Sequence, residues 1–343
     1  VQLSEIAIKM DFPFAFRRYS LAFRQPVRTS GGSWAPREGV YVRVERPGGT
    51  VGFGEAAPIP LFGRESADEI EAACRALGDR IGTDAVSQVP ENLGTLRNAV
   101  SCALAGAPGA PRHNSLGVAA LLPAGRGALD DAPPKADAGF RVFKWKVGVG
   151  AADDEMAILD DLLGALPGGS KVRLDANGAW DRRTAGKWMA FSSDRPVEFV
   201  EQPLAPGSKG IEDSLSGLGA DYPVPIALDE SISGNGDVSR WLDLGWRGYF
   251  VIKPSLLGDP DAAVARLIAA RAKVVFSSAL ETAMGAQASL RLAFAWPGKV
   301  SALGFGVWPL FSDARFDGPA AAPFIRIGDV DRINPETLWN AAS

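Results

Sequence analysis

Between residues 115 and 305 one pattern repeats: a short apolar segment, a polar turn, then a stretch with helical spacing. The segments are residues 115–122, 141–147, 171–175, 197–201, 225–229, 248–253, 273–278 and 300–305. They stand roughly 20 to 30 residues apart, the length of one strand-plus-helix unit. Most are apolar on both faces, as parallel strands covered by helices must be. This recurrence restricts the chain to an α/β fold with a parallel sheet, and eight such strands favour a closed barrel. An open doubly wound sheet would carry a glycine fingerprint after its first strand. Gly148-Val149-Gly150 follows a strand, but Asp153 stands where the third glycine belongs.

The first hundred or so residues are organised differently. Residues 40–44 alternate with period two, Pro47-Gly48-Gly49 turns the chain, and residues 51–55 return it, which predicts a hairpin. Ser66-Ala67-Asp68-Glu69 opens a helix with a cap and an acidic first turn, and a second helix is expected over about 91–105. The run Gly106-Ala107-Pro108-Gly109-Ala110-Pro111 is the best boundary in the chain. The expected domains are therefore 1–110, 111–320 and a C-terminal segment 321–343, which adds a strand-like piece from Phe324 and is expected to return to the N-terminal domain.

Composition narrows the chemistry. The 343 residues include 36 basic and 40 acidic side chains, a net charge of −4, which argues against a nucleic-acid coat or a polybasic membrane binder. No run of about 18 apolar residues is present, so no membrane helix is expected. The first residues, Val1-Gln2-Leu3-Ser4-Glu5, lack a basic n-region and an apolar h-region, and cytoplasmic residence is expected. A single histidine, His113, excludes multi-histidine zinc sites, and its coil setting reads as a plain loop residue. Two cysteines make neither a disulfide framework nor a four-cysteine metal site, and Cys74 reads as a small buried hydrophobe. No feature specifies an oligomeric state.

Chemistry in an α/β barrel collects at the C-terminal strand ends. Here those ends carry Lys144-Trp145-Lys146, Arg173-Leu174-Asp175-Ala176-Asn177, Glu201-Gln202-Pro203, Asp229-Glu230-Ser231, Lys253-Pro254 and Ser277-Ser278 with Glu281. Period two puts Lys144 and Lys146 on one face, and Arg173, Asp175 and Asn177 on one face of the next strand. Two ammoniums inside a barrel would each cost several kcal/mol unless opposite charges stood nearby. Asp175, Glu201 and Asp229 supply those charges from three consecutive strands. Three hard oxygen donors suit Mg²⁺, with Mn²⁺ also acceptable, and no histidine or cysteine is present to favour zinc. Lys253 stands across from Lys144 and Lys146. Lysines flanking a metal-held substrate can remove a proton alpha to a carboxylate and stabilise an enediolate, and a lysine near a divalent cation and another lysine is expected to have its pKa pushed down.

At these residues the chain resembles the enolase superfamily and, within it, the o-succinylbenzoate synthase family, over nearly the whole length. The second resemblance rests on residues 29–34 with Arg37-Glu38-Gly39, residues 52–58, residues 62–66, residues 277–281 and the pairing of Arg173 with Asp175. The resemblance implies a modified TIM barrel, (β/α)7β, with an α+β capping domain whose glycine-rich segment 29–34 acts as a lid. It implies Asp175, Glu201 and Asp229 as metal ligands, Asn177 and Glu230 behind them, Lys146 as the proton-abstracting base with Lys144 beside it, and Lys253 as the opposing lysine. Arg173, Ser277 and Ser278 are candidates for substrate binding, the two serines for a succinyl carboxylate. The implied reaction is dehydration of 2-succinyl-6-hydroxy-2,4-cyclohexadiene-1-carboxylate to o-succinylbenzoate, on the route to menaquinone or phylloquinone. The expected partner is this small carboxylate.

Two other activities use the same groups. N-succinylamino acid racemases and dipeptide epimerases need one lysine on each face of the substrate, and the residues named above do not separate them from a synthase. A Schiff-base aldolase would use one of the lysines but gives three neighbouring carboxylates no task. A barrel that only binds would leave the whole set without one.

Overall fold

The computed structural model describes residues 11–29, 32–60, 65–106 and 109–342. The chain begins with β1 (Asp11–Leu21), a hairpin of β2 (Val27–Thr29) and β3 (Gly32–Trp34), then β4 (Arg37–Glu45) and β5 (Val51–Ala56). With β6 (Arg80–Gly82), strands β1, β4 and β5 form a four-stranded antiparallel sheet in the order β5-β4-β1-β6. The hairpin expected over 40–55 is β4–β5, with Val40, Val42 and Val44 buried on one face. Sequence reasoning missed β1. Phe12 and Phe14 are buried on one face and Tyr19 on the other, with Arg17 and Arg18 between them, so no single alternation runs through the strand.

Helix α1 (Ala67–Leu77) starts at Ser66, which caps Glu69 N while Glu69 returns the bond, a reciprocal box that satisfies two otherwise unpaired N–H groups. Helices α2 (Ala85–Gln88) and α3 (Gly94–Leu104) follow. A methyl group at Gly54 would lie 2.0 Å from the Ala99 carbonyl oxygen, so only glycine lets α3 lie directly on β5. Cys74 is fully buried in α1, and burial pushes its thiol up to about 12, which fits the inert reading. Residues 107 and 108 of the expected boundary lie outside the described residues.

Next come β7 (Ser115–Gly117), β8 (Ala120–Leu122), α4 (Gly127–Asp137), β9 (Val142–Lys146), α5 (Ala152–Ala165), β10 (Lys171–Asp175), α6 (Arg182–Ser192) and β11 (Val197–Glu201). The alternation continues with α7 (Ile211–Asp221), β12 (Ile226–Leu228), α8 (Asn235–Asp243), β13 (Tyr249–Ile252), α9 (Pro260–Ala269), β14 (Lys273–Phe276) and α10 (Ala283–Ala295). Strands β8 to β14 make one curled seven-stranded parallel sheet in sequential order. Phe143, Trp145, Val172, Leu174, Phe250 and Phe276 pack outward against the helices. Phe199, Ala227, Val251 and Val275 form a separate cluster on the inner face.

The segment expected as an eighth strand, 300–305, is not a strand. It contributes single parallel bridges, Val118 to Leu303 and Ser277 to Gly304, which join the first edge of the sheet to the last. The expected strand 115–122 is likewise split. Its first half, β7, leaves the sheet and pairs antiparallel with β15 (Phe324–Arg326). Phe324 therefore does not lead back to the N-terminal sheet. After α11 (Ile327–Asp331), the last helix α12 (Pro335–Ala341) does: Arg17 Nη1 donates to the Trp339 carbonyl at 2.7 Å and its guanidinium lies 4.6 Å from the Trp339 ring. Among the described residues no helix is long and apolar enough to cross a membrane.

Candidate active site

The register of three strands builds the site. Asp175 pairs with Lys146 on one side and with Glu201 on the other, so a lysine and two carboxylates stand at one level at the C-terminal edge of the sheet. The outward faces of β9 and β10 are filled by large apolar side chains, which leaves Lys144, Lys146 and Asp175 the inner face. Lys144 lies one pleat lower, level with Arg173, and its ammonium reaches Asp175 Oδ2 at 2.8 Å and Glu201 Oε1 at 2.6 Å. Two strands further round, Lys253 pairs with Asp229. Lys146 makes no ion pair among the described residues.

Burial shapes the charges. It opposes the charge on Lys144, but Asp175 and Glu201 outweigh it and hold that ammonium well above the ordinary lysine range. The nearest neighbours of Lys144 are these two anions, which is why its charged form is favoured. Lys253 does shift down, to about 8, because burial outweighs the pull of Glu201. Burial also raises Glu201, against Lys144, and pushes Glu230 up to about 7. Asn177 Nδ2 donates to Glu230 Oε1 at 2.9 Å, while Glu230 Oε2 is buried with no partner among the described residues. Asp175, Glu201, Asp229 and Glu230 outnumber Lys144, Lys146 and Lys253 by one.

The loops are held by groups that sequence reasoning assigns no role. Glu155, at the start of α5 and almost fully buried, accepts from the amides of Gly148, Val149 and Gly150 at 2.8, 3.0 and 3.0 Å. The Gly-x-Gly turn after Lys146 is thus a cradle for a carboxylate of the protein itself. Its sequence signal is a glutamate in the first turn of the following helix. Gln202, quoted only as part of Glu-Gln-Pro, is fully buried and bonds the loop that carries Asp229.

Three residues expected at the substrate have partners within the protein. Arg173, expected at the substrate, is buried beneath the lysine–carboxylate level. Its Nε donates to Glu198 at 2.7 Å, its Nη1 to the Ala302 carbonyl at 2.7 Å, and its guanidinium faces the Phe199 ring. Its partners tie the inner wall together, because a buried cation must be matched before it can do anything else. Ser278 Oγ donates to Glu281 at 2.8 Å and accepts from Leu280 N, which closes a tight turn. Ser277 Oγ donates to the Gly304 carbonyl at 3.2 Å, and a methyl group at Gly304 would meet that hydroxyl, so this glycine serves packing. His113 touches the Trp296 carbonyl at 2.9 Å and serves the loop. Ser30 and Gly31 of the expected lid, and Phe62, Gly63 and Arg64, lie outside the described residues. Trp34 is buried edge-on against Phe23.

Glu281 is fully buried, and burial pushes its carboxyl up to about 7, with the Ser278 bond opposing. Its folded pKa exceeds its unfolded value, so between about pH 4.5 and 7 the folded state binds the extra proton. Its contribution is complete at low pH and is lost as pH rises through 7. The Glu281→Gln variant is expected to lose less stability than wild type between pH 5 and pH 8, by an amount on the order of 1 kcal/mol. Urea midpoints at the two pH values read this; equal losses in both proteins would remove Glu281 from the account.

The N-terminal sheet grips the same turn. Glu55, at the end of β5, accepts from Tyr19 Oη at 2.5 Å, Thr282 N at 3.0 Å, Thr282 Oγ1 at 2.6 Å and Gly285 N at 2.8 Å, so it caps α10 from another sheet. A methyl group at Gly285 would lie 2.9 Å from Glu55 Oε2, which explains the glycine. Arg37, also fully buried, donates to the carbonyls of Ala57, Pro58 and Leu280. One strand pair thus offers a cation to the carbonyls of the turn and an anion to its amides. The segments at 37–39, 52–58 and 277–281, which carry the family resemblance in sequence, are in contact.

Residues 129–323 match the family model described as Enolase C-terminal domain-like. The chain belongs to the enolase superfamily. Among its superfamily relatives, an o-succinylbenzoate synthase of Thermosynechococcus vestitus is 39% identical over 300 residues, covering 85% of this chain and 91% of the relative. A hydrophobic dipeptide epimerase of Roseobacter litoralis is 29% identical, over 64% of this chain and 68% of its own. The crystal structure of the o-succinylbenzoate synthase from Thermosynechococcus elongatus BP-1, complexed with Mg in the active site, superposes with a TM-score of 0.81. It is 36% identical and covers 96% of this chain and 99% of that one. In the present arrangement no three carboxylate, histidine or cysteine side chains among the described residues gather closely enough to grip a metal ion. The carboxylates are divided between Lys144 and Lys253 instead.

Proposed function

We propose that this chain is a magnesium-dependent o-succinylbenzoate synthase, a carbon–oxygen lyase of the enolase superfamily. One observation carries the site: Lys146, Asp175 and Glu201 stand level on three adjacent strands, with the Lys253–Asp229 pair facing them. The 39% identity to a synthase over most of both chains supports the reaction. The curled sheet is read as a (β/α)7β barrel, because residues 303 and 304 bridge its two edges. Residues 1–110 are read as an α+β capping domain, 111–320 as the barrel and 321–343 as the returning segment. The proposed partner is a small-molecule carboxylate and the proposed setting the cytoplasm.

The donor set fits a hard divalent cation. Carboxylates exceed lysines, two ammoniums occupy positions beside the carboxylates as cations, and Glu230 Oε2 is buried without a partner among the described residues. Asp175, Glu201 and Asp229 would hold Mg²⁺, with Asn177 and Glu230 fixing their orientation. When bound, Mg²⁺ supplies positive charge opposite the carboxylate of the substrate's reacting carbon. Lys146 Nζ, which has no carboxylate to neutralise, takes the proton alpha to that carboxylate. The C–H electron pair forms the ring double bond that completes aromaticity, the carbon–oxygen bond to the hydroxyl breaks, and the abstracted proton and the hydroxide leave as water. Lys144 stays charged between Asp175 and Glu201 and keeps them placed. Lys253 faces the developing negative charge as an ammonium.

The test is a spectrophotometric dehydration assay with the cyclohexadiene substrate, with and without Mg²⁺. Metal-dependent turnover is expected; none in the presence of Mg²⁺ would overturn the proposal. A second reading, racemisation of N-succinyl amino acids or dipeptide epimerisation, is favoured by the placement of Lys146 and Lys253 on opposite sides of the carboxylates. Racemisation without dehydration would select it. The Glu201→Gln variant is expected to bind Mg²⁺ at least about tenfold more weakly, since it removes one of three anionic ligands. Calorimetry showing unchanged affinity would exclude Glu201 from the metal site.

A further inference from the structure

Asp175 and Glu201 are placed by the sheet itself, paired in register with each other. Asp229 is not. The β11–β12 ladder ends at Glu201 and Ala227, and the β12–β13 ladder ends at Leu228, so Asp229 stands beyond the last strand pairing on either side. What holds its amide is Gln202, while its carbonyl accepts from Ile232 N at 2.9 Å. The Gln202 Oε1 accepts from Asp229 N and Ser231 N, both at 3.1 Å. Its Nε2 donates to Ser231 Oγ and to the Leu204 carbonyl, both at 2.8 Å. Its own N–H donates to the Ala227 carbonyl at 2.8 Å, and its carbonyl accepts from Gly178 N, in the loop after Asp175, at 2.7 Å.

These bonds join the ends of three consecutive strands through one residue. Each of Gln202's amide and backbone polar atoms has a partner, which fixes the amide orientation: two N–H groups require the oxygen, and a carbonyl requires the nitrogen. The side chain is fully buried, and its backbone adopts φ +37°, a left-handed conformation that costs a non-glycine residue free energy and that only surrounding structure sustains. Alanine or a shorter amide could not span from β11 to the Asp229 loop with the same bonds.

We infer that Gln202 is a positioning residue that sets the distance of Asp229 from Asp175 and Glu201, and thereby the fit of the site to a small divalent cation. This rests on the proposed magnesium site. Mg²⁺ demands near-octahedral donors at about 2.0–2.1 Å, whereas Ca²⁺ accepts irregular donors at about 2.3–2.6 Å. Loss of the positioning bonds therefore costs Mg²⁺ more than Ca²⁺, while a loss of folding or of ligand charge costs both.

The experiment titrates Mg²⁺ and Ca²⁺ into wild type and Gln202→Met by calorimetry, well below each protein's unfolding temperature. Methionine keeps the volume and removes the hydrogen bonds. Mg²⁺ affinity is expected to fall at least about tenfold and Ca²⁺ affinity by less than about threefold. Mg²⁺ affinity within twofold of wild type, or equal losses for both ions, overturns the inference. Should Gln202→Met fail to fold, Ser231→Ala removes the hydroxyl that orients the amide. It is expected to weaken Mg²⁺ about threefold, and unchanged affinity there overturns the inference as well. Failure of the wild type to bind Mg²⁺ instead overturns the magnesium reading, and this inference with it.

Discussion

The Lys146→Ala variant loses turnover by about a thousandfold or more while remaining folded and binding Mg²⁺ as wild type does. The expectation follows from the division of labour among the lysines. Lys144 lies between Asp175 and Glu201 and Lys253 lies on Asp229, so removing either disturbs the carboxylates as well as the reaction. Lys146 makes no ion pair with them among the described residues, and it stands level with Asp175 and Glu201. Its removal therefore isolates proton abstraction from metal binding and folding. The measurement is kcat in the dehydration assay, with Mg²⁺ calorimetry and a thermal melt on the same preparation. Activity within tenfold of wild type would assign the base to another group; lost metal affinity would mean that Lys146 helps arrange the carboxylates.

The largest expected effect on stability belongs to Glu55, a residue far from the lysines in sequence and chemistry. Glu55→Ala leaves Thr282 N, Gly285 N, the Thr282 hydroxyl and the Tyr19 hydroxyl without their acceptor in a buried place. Each unsatisfied buried donor costs about 1–3 kcal/mol, and breaking a buried charged network typically costs about 3–5 kcal/mol. A fall in the urea midpoint corresponding to about 3–5 kcal/mol is therefore expected, with the N-terminal sheet released from α10. Faster limited proteolysis between the sheet and the parallel strands should accompany it. A midpoint unchanged from wild type would show that water replaces the carboxylate without loss.

Local rules reach far along this chain. Ser66 caps α1 through the box that its spacing with Glu69 predicts, and β10 and β11 have the bounds that their apolar runs predict. Period two also places Lys144 and Lys146 on one face and Phe143 and Trp145 on the other. These features are legible because each depends on neighbours in the chain: a hydroxyl three residues before an amide, or alternate side chains on a pleated ribbon. Strand 300–305 is misread for the converse reason. Its apolar content is real, since Leu303 and Phe305 are buried, but it reaches the sheet only through single bridges, and no local pattern distinguishes a ladder from a bridge.

The roles of individual polar side chains divide in the same way. The residue types at the strand ends, three acids and three lysines on consecutive strands, follow from the sequence alone, because strand order in a parallel sheet follows chain order. Which lysine neutralises which carboxylate does not. That depends on register, which sets Lys146 beside Asp175 and leaves Lys144 a pleat below with both carboxylates within reach. Arg173 looks like a substrate contact in sequence because it shares a face with Asp175, yet the inner wall supplies it with Glu198 and a carbonyl. The sequence assigns no role to Gln202, Glu155 or Glu55, since each acts on amides brought to it by folding. The sequence determined the parallel α/β architecture and the stock of acids and lysines at its strand ends. Only the tertiary structure decided which buried charge meets which partner, because pairing energies inside a protein depend on distances of a few ångströms that chain order does not encode.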